Sequence, residues 1–205
     1  MDMTLQSCRD FSRDLASASP TPGGGGASAL AGALGAALGQ MVCNLTIGKK
    51  KYAEVEGKVQ KIAEQLDTLR LRLLDCVQKD ENAFQPLAAA YAIPKDDPQR
   101  EIVLEEATLT ACQPPMEMME LCCEGIALVG FLAEHGSRLA VSDAGCAAAF
   151  LSCALKSASL NVFINTKSLK NRKAAEALNE KANKMLDTYI PMADGIFKTV
   201  EENFR

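Results

Sequence analysis

The chain has 205 residues, of which 48% are hydrophobic and 23% charged, and its formal net charge is −4. These values predict a soluble globular protein and exclude a disordered one. The modest acidity argues against nucleic-acid binding, which needs a basic excess. A single histidine, His135, excludes a zinc site built from several histidines. We therefore expect neither a nucleic-acid partner nor a bound metal.

Two features bear on the cellular compartment. The first twenty residues mix acidic and basic side chains without a continuous apolar core, so we expect no signal peptide. The eight cysteines form no Cys-x-x-Cys pair, which is typical of reduced thiols in a cytoplasmic protein. Residues 27–47 are long enough to span a membrane but consist mainly of Ala and Gly. We therefore expect no membrane partner, and we expect these small residues to allow the close approach of another helix.

Apolar residues recur at helical spacing along almost the whole chain, and alternating β-branched runs are missing. After a first helix ending near Leu15, a Pro- and Gly-rich break covers residues 19–26. Further helices are then predicted over about 27–47, 53–91, 97–112, 114–135, 143–168 and from 171 to near the C-terminus. No linker is long enough to divide the chain. We predict an all-α fold with one domain over residues 1–205, a bundle of about six helices including one long helix.

One acidic residue interrupts the apolar stripe of the long helix. Asp80 lies four residues after Cys76 and four before Phe84, so it shares their face. A buried carboxylate either takes up a proton with a raised pKa or finds a partner. Because Lys79 and Glu81 adjoin it, a salt bridge or a solvated helix end explains this residue as well as acid–base catalysis does.

Three further polar residues stand out on the predicted helix over 143–168. Asp143 follows Ser142 at the helix start, where the helix dipole stabilises a negative charge and ordinary capping accounts for it. Asn161 and Asn165 are four residues apart on an otherwise apolar helix. Their amides would either read the edge of a heterocycle or bond to another helix.

A glycine-rich block and a basic run flank the second helix. The block PGGGGAS over residues 22–28 leads into the helix, where exposed amides would hold a carboxylate, phosphate or carbonyl oxygen. It lacks the G-K-[ST] ending of a P-loop, so a nucleotide site is not favoured. Lys49, Lys50 and Lys51 form either a solvated face or a docking patch for a polyanionic substrate tail.

Four segments carry a resemblance to a known family. PTPGGGGASALAGALGAALGQMVCNLTIGKKKY, DENAF, SDAGCAAAFL and NVFIN, in this order, closely resemble the cyclodeaminase/cyclohydrolase family. Its members are formiminotetrahydrofolate cyclodeaminases, methenyltetrahydrofolate cyclohydrolases and the C-terminal half of formimidoyltransferase-cyclodeaminase. The resemblance covers nearly the whole chain, and it departs from the family pattern at Ala27, where Ser is commoner.

The resemblance implies an all-helical homodimer that binds a tetrahydrofolate derivative as its substrate, with no permanently bound cofactor. In the family the acid of the D-x-x-A-F motif is catalytic, and that position is Asp80 here. Basic residues, here Lys49, Lys50 and Lys51, would recognise a polyglutamate tail. The remaining substrate-binding residues would be Gly23, Gly24, Gly25, Gly26, Ser28, Asp143, Asn161 and Asn165.

Two enzymatic activities and one non-enzymatic function follow as hypotheses. The first is a cyclodeaminase that converts 5-formiminotetrahydrofolate to 5,10-methenyltetrahydrofolate with release of ammonia. The second is a cyclohydrolase that converts the methenyl compound to 10-formyltetrahydrofolate. The third is a helical interaction protein without catalysis, for which Asp80 would be dispensable. A cytoplasmic location suits all three.

Overall fold

The computed structural model describes residues 3–205, so the start of the predicted domain at residue 1 lies outside the described residues. Over this range the chain forms helices and loops without a β-strand. The α-helices are α1 Cys8–Leu15, α2 Gly24–Asn44, α3 Glu56–Tyr91, α4 Arg100–Ala111, α5 Gln113–His135, α6 Val141–Ser168 and α7 Arg172–Glu201. The prediction of an all-α, single-domain bundle with one long helix is confirmed.

Four predicted helix starts differ from the structure by two or three residues. Helix α3 begins at Glu56 instead of residue 53. Helix α2 begins at Gly24 instead of residue 27, so the glycine block supplies its first turn. Helix α4 begins at Arg100, because Asp97 accepts a hydrogen bond from the Gln99 N–H at 2.8 Å and forms a turn before the helix. Helix α6 begins at Val141 instead of residue 143, because a short 3₁₀ turn runs directly into it, so Ser142 lies inside the helix.

Helix α2 lies at the centre of the bundle, between α3 and α6. Its glycines allow close packing: a Cβ added at Gly35 would lie 2.8 Å from Cγ of Leu151 and 3.1 Å from its backbone nitrogen. No side chain fits that space, so the predicted close approach of another helix is confirmed. Large side chains on the neighbouring helices, including Leu66, Leu73 and Leu155, are completely buried around it.

Two segments are long and apolar enough to cross a membrane, judged by length and composition only. They are Gly24–Asn44 and Arg138–Ser168, and 56% and 50% of their most apolar windows are buried inside the protein. The core helix of a soluble protein passes the same test. Their composition is therefore weak evidence for a membrane span.

Candidate active site

The carboxylate of Asp80 on α3 faces the first turn of α2. A Cβ added at Gly25 would lie 2.3 Å from both carboxylate oxygens, so only glycine permits this approach. The backbone N–H of Gly26 also interacts with the carboxylate. The first N–H groups of a helix have no partner within the helix, and the helix dipole favours a negative charge beside them. The glycine block thus brings backbone donors to an acidic side chain.

The surroundings of Asp80 set its protonation. Burial raises the pKa of this carboxyl to about 6, and the hydrogen bond from Gly26 opposes the shift. Between residues 3 and 205, no Lys, Arg or His forms an ion pair with Asp80, since the adjacent Lys79 pairs with Glu117 at 2.8 Å. The salt-bridge explanation is therefore wrong. A carboxyl with a pKa of about 6 exchanges a proton readily near neutral pH.

Asp80 forms part of the wall of a cleft of about 320 Å³, a size that holds a small heterocycle. The walls come from the loop before α2, the first turn of α2, the C-terminal half of α3, the end of α4 and the C-terminal half of α6. The lining residues are Pro20, Thr21, Gly23, Gly24, Gly25, Asp80, Phe84, Leu87, Tyr91, Ala111, Asn161, Ile164 and Asn165.

Asn161 and Asn165 stand on the α6 wall of this cleft. The Nδ2 of Asn161 donates to the Ser157 carbonyl at 3.0 Å, and the Nδ2 of Asn165 donates to the Ala111 carbonyl at 3.0 Å. The second bond joins α6 to the end of α4. The bond to another helix is thus confirmed for Asn165, whereas Asn161 bonds within α6. Both residues line the cleft, and their contact with a heterocycle stays a prediction.

The apolar side of the cleft comes from α3. Phe84, Leu87 and Tyr91 follow Asp80 at intervals of four, seven and eleven residues, so they share its helix face. Tyr91 is 54% exposed and stands at the edge of the cleft. Sequence reasoning placed Phe84 on the stripe without giving it a role and missed Tyr91. Extending the spacing from Asp80 by three helical turns would have found it.

Several predicted site residues lie outside the cleft. Ser28 is buried, and its hydroxyl donates to the Gly24 carbonyl at 2.6 Å, so it supports the first turn of α2 without lining the cleft. Lys49, Lys50 and Lys51 follow the other end of α2, about 30 Å away along the helix. Asp143 lies in the first turn of α6, about 27 Å along that helix from Asn161.

These positions show which of the predicted site residues meet within one chain. Gly23, Gly24, Gly25, Asp80, Asn161 and Asn165 meet in one cleft, and the backbone N–H of Gly26 interacts with the Asp80 carboxylate. Within one chain the three lysines and Asp143 do not reach it. Their role at the site stays a prediction.

Metal-binding side chains and reactive thiols were also considered as candidates for a site. Residues 3–205 contain no cluster of three or more His, Cys, Asp or Glu side chains suited to a metal ion. Burial raises the pKa of the Cys43 and Cys76 thiols to about 12, so both remain protonated near neutral pH. These cysteines therefore contribute to the core as small apolar side chains.

Comparisons with known proteins find relatives that match almost the whole chain. Residues 7–184 match the model of the formiminotransferase-cyclodeaminase family. A methenyltetrahydrofolate cyclohydrolase of Methylorubrum extorquens is 40% identical over 195 residues, which cover 93% of this chain and 94% of that protein. The crystal structure of a formiminotetrahydrofolate cyclodeaminase from Thermotoga maritima superposes with a TM-score of 0.83 at 28% identity, covering 97% of this chain and 96% of that one.

A longer relative is similar over part of its length. The formimidoyltransferase-cyclodeaminase of Dictyostelium discoideum is 34% identical over 186 residues, which cover 90% of this chain. The match spans only 34% of the Dictyostelium protein.

Proposed function

This chain belongs to the formiminotransferase-cyclodeaminase family, and on that premise we propose that it is a folate-dependent enzyme whose proton transfers are carried out by Asp80. The observation that carries the proposal is the carboxyl itself. It has a pKa of about 6, no cationic partner in residues 3–205, and a place in a cleft at a helix N-terminus. A non-catalytic interaction protein would have no need of this arrangement.

Hydrolysis of 5,10-methenyltetrahydrofolate is the first candidate reaction. This reverses the order expected from the sequence, because the relative that is 40% identical and covered over 94% of its length is named a cyclohydrolase. Water adds to the cationic methenyl carbon while the Asp80 carboxylate takes a proton from it. The carbon–N5 bond then breaks as Asp80 returns that proton to N5. The hydroxyl proton goes to solvent, and 10-formyltetrahydrofolate is the product.

Deamination of 5-formiminotetrahydrofolate is the second candidate, supported by the name of the Thermotoga structure. Here N10 attacks the carbon of the formimino group, which carries an extra proton as an amidinium near neutral pH, and the Asp80 carboxylate takes the N10 proton. The same carboxyl passes that proton to the departing nitrogen, which leaves as ammonia. The methenyl cation remains. In both reactions the carboxylate also stabilises a positively charged folate electrostatically.

The cleft has complementary surfaces for a pterin. Phe84 and Tyr91 offer aromatic rings beside the acid, which suit a flat heterocycle. Asn161 and Asn165 offer amide groups that suit its donor and acceptor edge. Holding the folate against both surfaces would align the reacting carbon with the carboxylate.

The remaining parts of the proposal follow from the family. We include a homodimer, a polyglutamylated folate as the physiological substrate, and no resident cofactor. The free state of all eight cysteines is consistent with a reducing compartment, and we place the reaction in the cytosol.

An assay with both folates tests the proposal. The purified protein is mixed with methenyltetrahydrofolate, and the loss of methenyl absorbance is compared with the spontaneous rate. A parallel sample receives 5-formiminotetrahydrofolate, and ammonia and methenyl absorbance are followed together. Accelerated loss identifies a cyclohydrolase, and ammonia with growing absorbance identifies a cyclodeaminase. Rates equal to the protein-free controls in both would contradict the proposed function.

A further inference from the structure

The side-chain amides of Asn161 and Asn165 have a defined orientation in the cleft wall. A backbone carbonyl only accepts hydrogen bonds, so an amide beside it must present its NH₂ group. Nδ2 of Asn161 donates to the Ser157 carbonyl and Nδ2 of Asn165 to the Ala111 carbonyl, both at 3.0 Å. Each amide therefore turns its Oδ1 away from the carbonyl that it binds.

The proline pair after α4 holds Asn165 in this orientation. Ala111 is the last residue of α4, and Pro115, four residues later, has no N–H to donate to its carbonyl. The amide of Asn165 supplies a donor from α6 instead. Rotating the amide by half a turn would place Oδ1 against the carbonyl oxygen and remove this bond.

Both Oδ1 atoms lack a partner within the chain. Among residues 3–205, no N–H or O–H group donates to either of them, and the buried side-chain oxygens without a partner are Oε1 of Gln6 and Gln78. The Oδ1 atoms are thus open to solvent. A Cβ added at Gly24 would lie 3.5 Å from Oδ1 of Asn161. Because Asn161 and Asn165 line the cleft, we infer that they present two hydrogen-bond acceptors to its contents.

The acid and the amides approach the first turn of α2 from different sides. Helix α2 lies between α3 and α6. Two consecutive glycines separate the functional groups, since Gly25 approaches Asp80 and Gly24 approaches Asn161. Asn165 lies one helical turn farther along α6, beside the end of α4. The cleft therefore has one level with the acid and Asn161 and a second level with Asn165.

A reduced pterin carries donors that match this arrangement. Its N8–H and its 2-amino group lie on one edge with N1 between them, and N5 lies across the ring from N8. In a fully oxidised pterin, N8 has no hydrogen and is an acceptor. Side chains four residues apart on a helix have Cβ atoms about 5–6 Å apart. They suit two donors separated by a ring atom better than the adjacent N3–H and 2-amino donors.

We propose that Asn161 accepts a hydrogen bond from N8–H of the pterin and Asn165 accepts one from its 2-amino group, so that the cleft selects reduced folates and directs N5 toward Asp80. The inference rests on the proposed function for its substrate, and it adds the orientation of that substrate. N5 carries the reacting carbon in both candidate reactions. This orientation therefore brings the reacting part of the folate to the acid.

A change in the ligand isolates the contact with Asn161. Binding of tetrahydrofolate and of 8-deazatetrahydrofolate, in which a methylene group replaces N8–H, is measured by isothermal titration calorimetry. Neither compound carries the one-carbon unit, so neither is turned over. The wild type should bind tetrahydrofolate about 5–150-fold more tightly, because the analogue leaves the amide oxygen without a donor.

Two variants assign the preference to one side chain. Asn161→Leu should bind the two compounds about equally, because it has no acceptor for N8–H. Asn165→Leu is the matched control: it should bind both compounds more weakly and keep the wild-type ratio, since its partner is the 2-amino group that both compounds share. A ratio measured within one protein cancels general effects of a substitution on the fold.

The outcomes separate this inference from the proposed function. Equal affinity of the wild type for the two compounds would overturn the inference without the use of any variant. A preference that persists in Asn161→Leu, or that is lost equally in Asn165→Leu, would overturn the assignment of N8–H to Asn161. Turnover without the preference would overturn the inference alone. The expected preference in a protein that turns over neither folate would overturn the proposed function alone, and absence of any folate binding would overturn both.

Discussion

Asp80 and Gly25 lie so close together that any side chain at residue 25 would collide with the carboxylate. A Cβ added there would lie 2.3 Å from both carboxylate oxygens. This contact joins the long helix α3 to the first turn of α2 and holds the acid beside backbone donors. The function proposed for the cleft depends on that junction, because it fixes both the position and the protonation of the acid.

Substitution of Gly25 tests the junction directly. Gly25→Ala should lower kcat/KM at least tenfold and reduce the free energy of unfolding by about 1–3 kcal/mol, since the added Cβ must displace either Asp80 or the helix end. Steady-state kinetics and urea unfolding measure the two effects. Gly57→Ala is the matched control, because nothing lies within 4 Å of a Cβ there. Similar losses in both variants would show that the contact with Asp80 is not the cause.

The pH dependence of the rate reports the protonation of the acid. The carboxylate form takes the proton in either candidate reaction, so kcat/KM should rise with pH through an apparent pKa of about 6. Initial rates between pH 5 and 7.5, corrected for the spontaneous reaction, measure this limb. A rate that falls with rising pH over that interval would instead assign Asp80 the role of a proton donor.

The same carboxyl links stability to pH. Its pKa is raised from 3.8 to about 6 on folding, so its contribution to stability is fully present below about pH 3.8 and is lost as pH rises through about 6. Asp80→Asn should therefore gain stability relative to wild type across this window, reaching on the order of 3 kcal/mol above it. Urea unfolding of both proteins at pH 4.5 and 7.5 measures the difference. A constant difference between the two pH values would contradict the raised pKa.

The aromatic edge of the cleft gives a prediction about binding. Tyr91→Ala should raise KM about three- to tenfold, the effect of losing one aromatic contact, with little change in the midpoint of thermal unfolding because the side chain is largely exposed. Steady-state kinetics and thermal unfolding measure both. Leu71→Ala, at a similarly exposed apolar position on α3 that is not part of the cleft wall, is the control. An unchanged KM for Tyr91→Ala would remove this residue from the site.

Helical periodicity was sufficient to predict the fold. The apolar stripe that includes Leu66, Leu69 and Leu73 predicted the long helix, and the glycines of α2 predicted its close contact with another helix. Both patterns depend on local spacing along the sequence. Asp80 stood out for the same reason, as a charge on an apolar face. Its raised pKa follows from burial that only the folded chain defines.

The distribution of the site residues was harder to predict. Sequence order places Lys49 only 24 residues after Gly25, yet a straight helix holds the two ends apart. Asp143 and Asn161 likewise share one helix but lie about 27 Å apart along it. Residues that are close in sequence lie far apart in space when a long straight helix separates them. Tyr91 was missed because it does not interrupt the apolar stripe of the long helix, whereas Asp80 does.

The central claim is that Asp80 transfers protons in the folate reaction, and the turnover of Asp80→Asn tests it most directly. The substitution keeps the shape of the side chain and removes its basicity, so we predict at least about a 100-fold loss of kcat in whichever of the two assays the wild type satisfies. Asp75→Asn, an exposed acid on the same helix, should retain wild-type turnover. Near-wild-type kcat for Asp80→Asn, in protein with an unchanged helical circular dichroism spectrum, would contradict the claim.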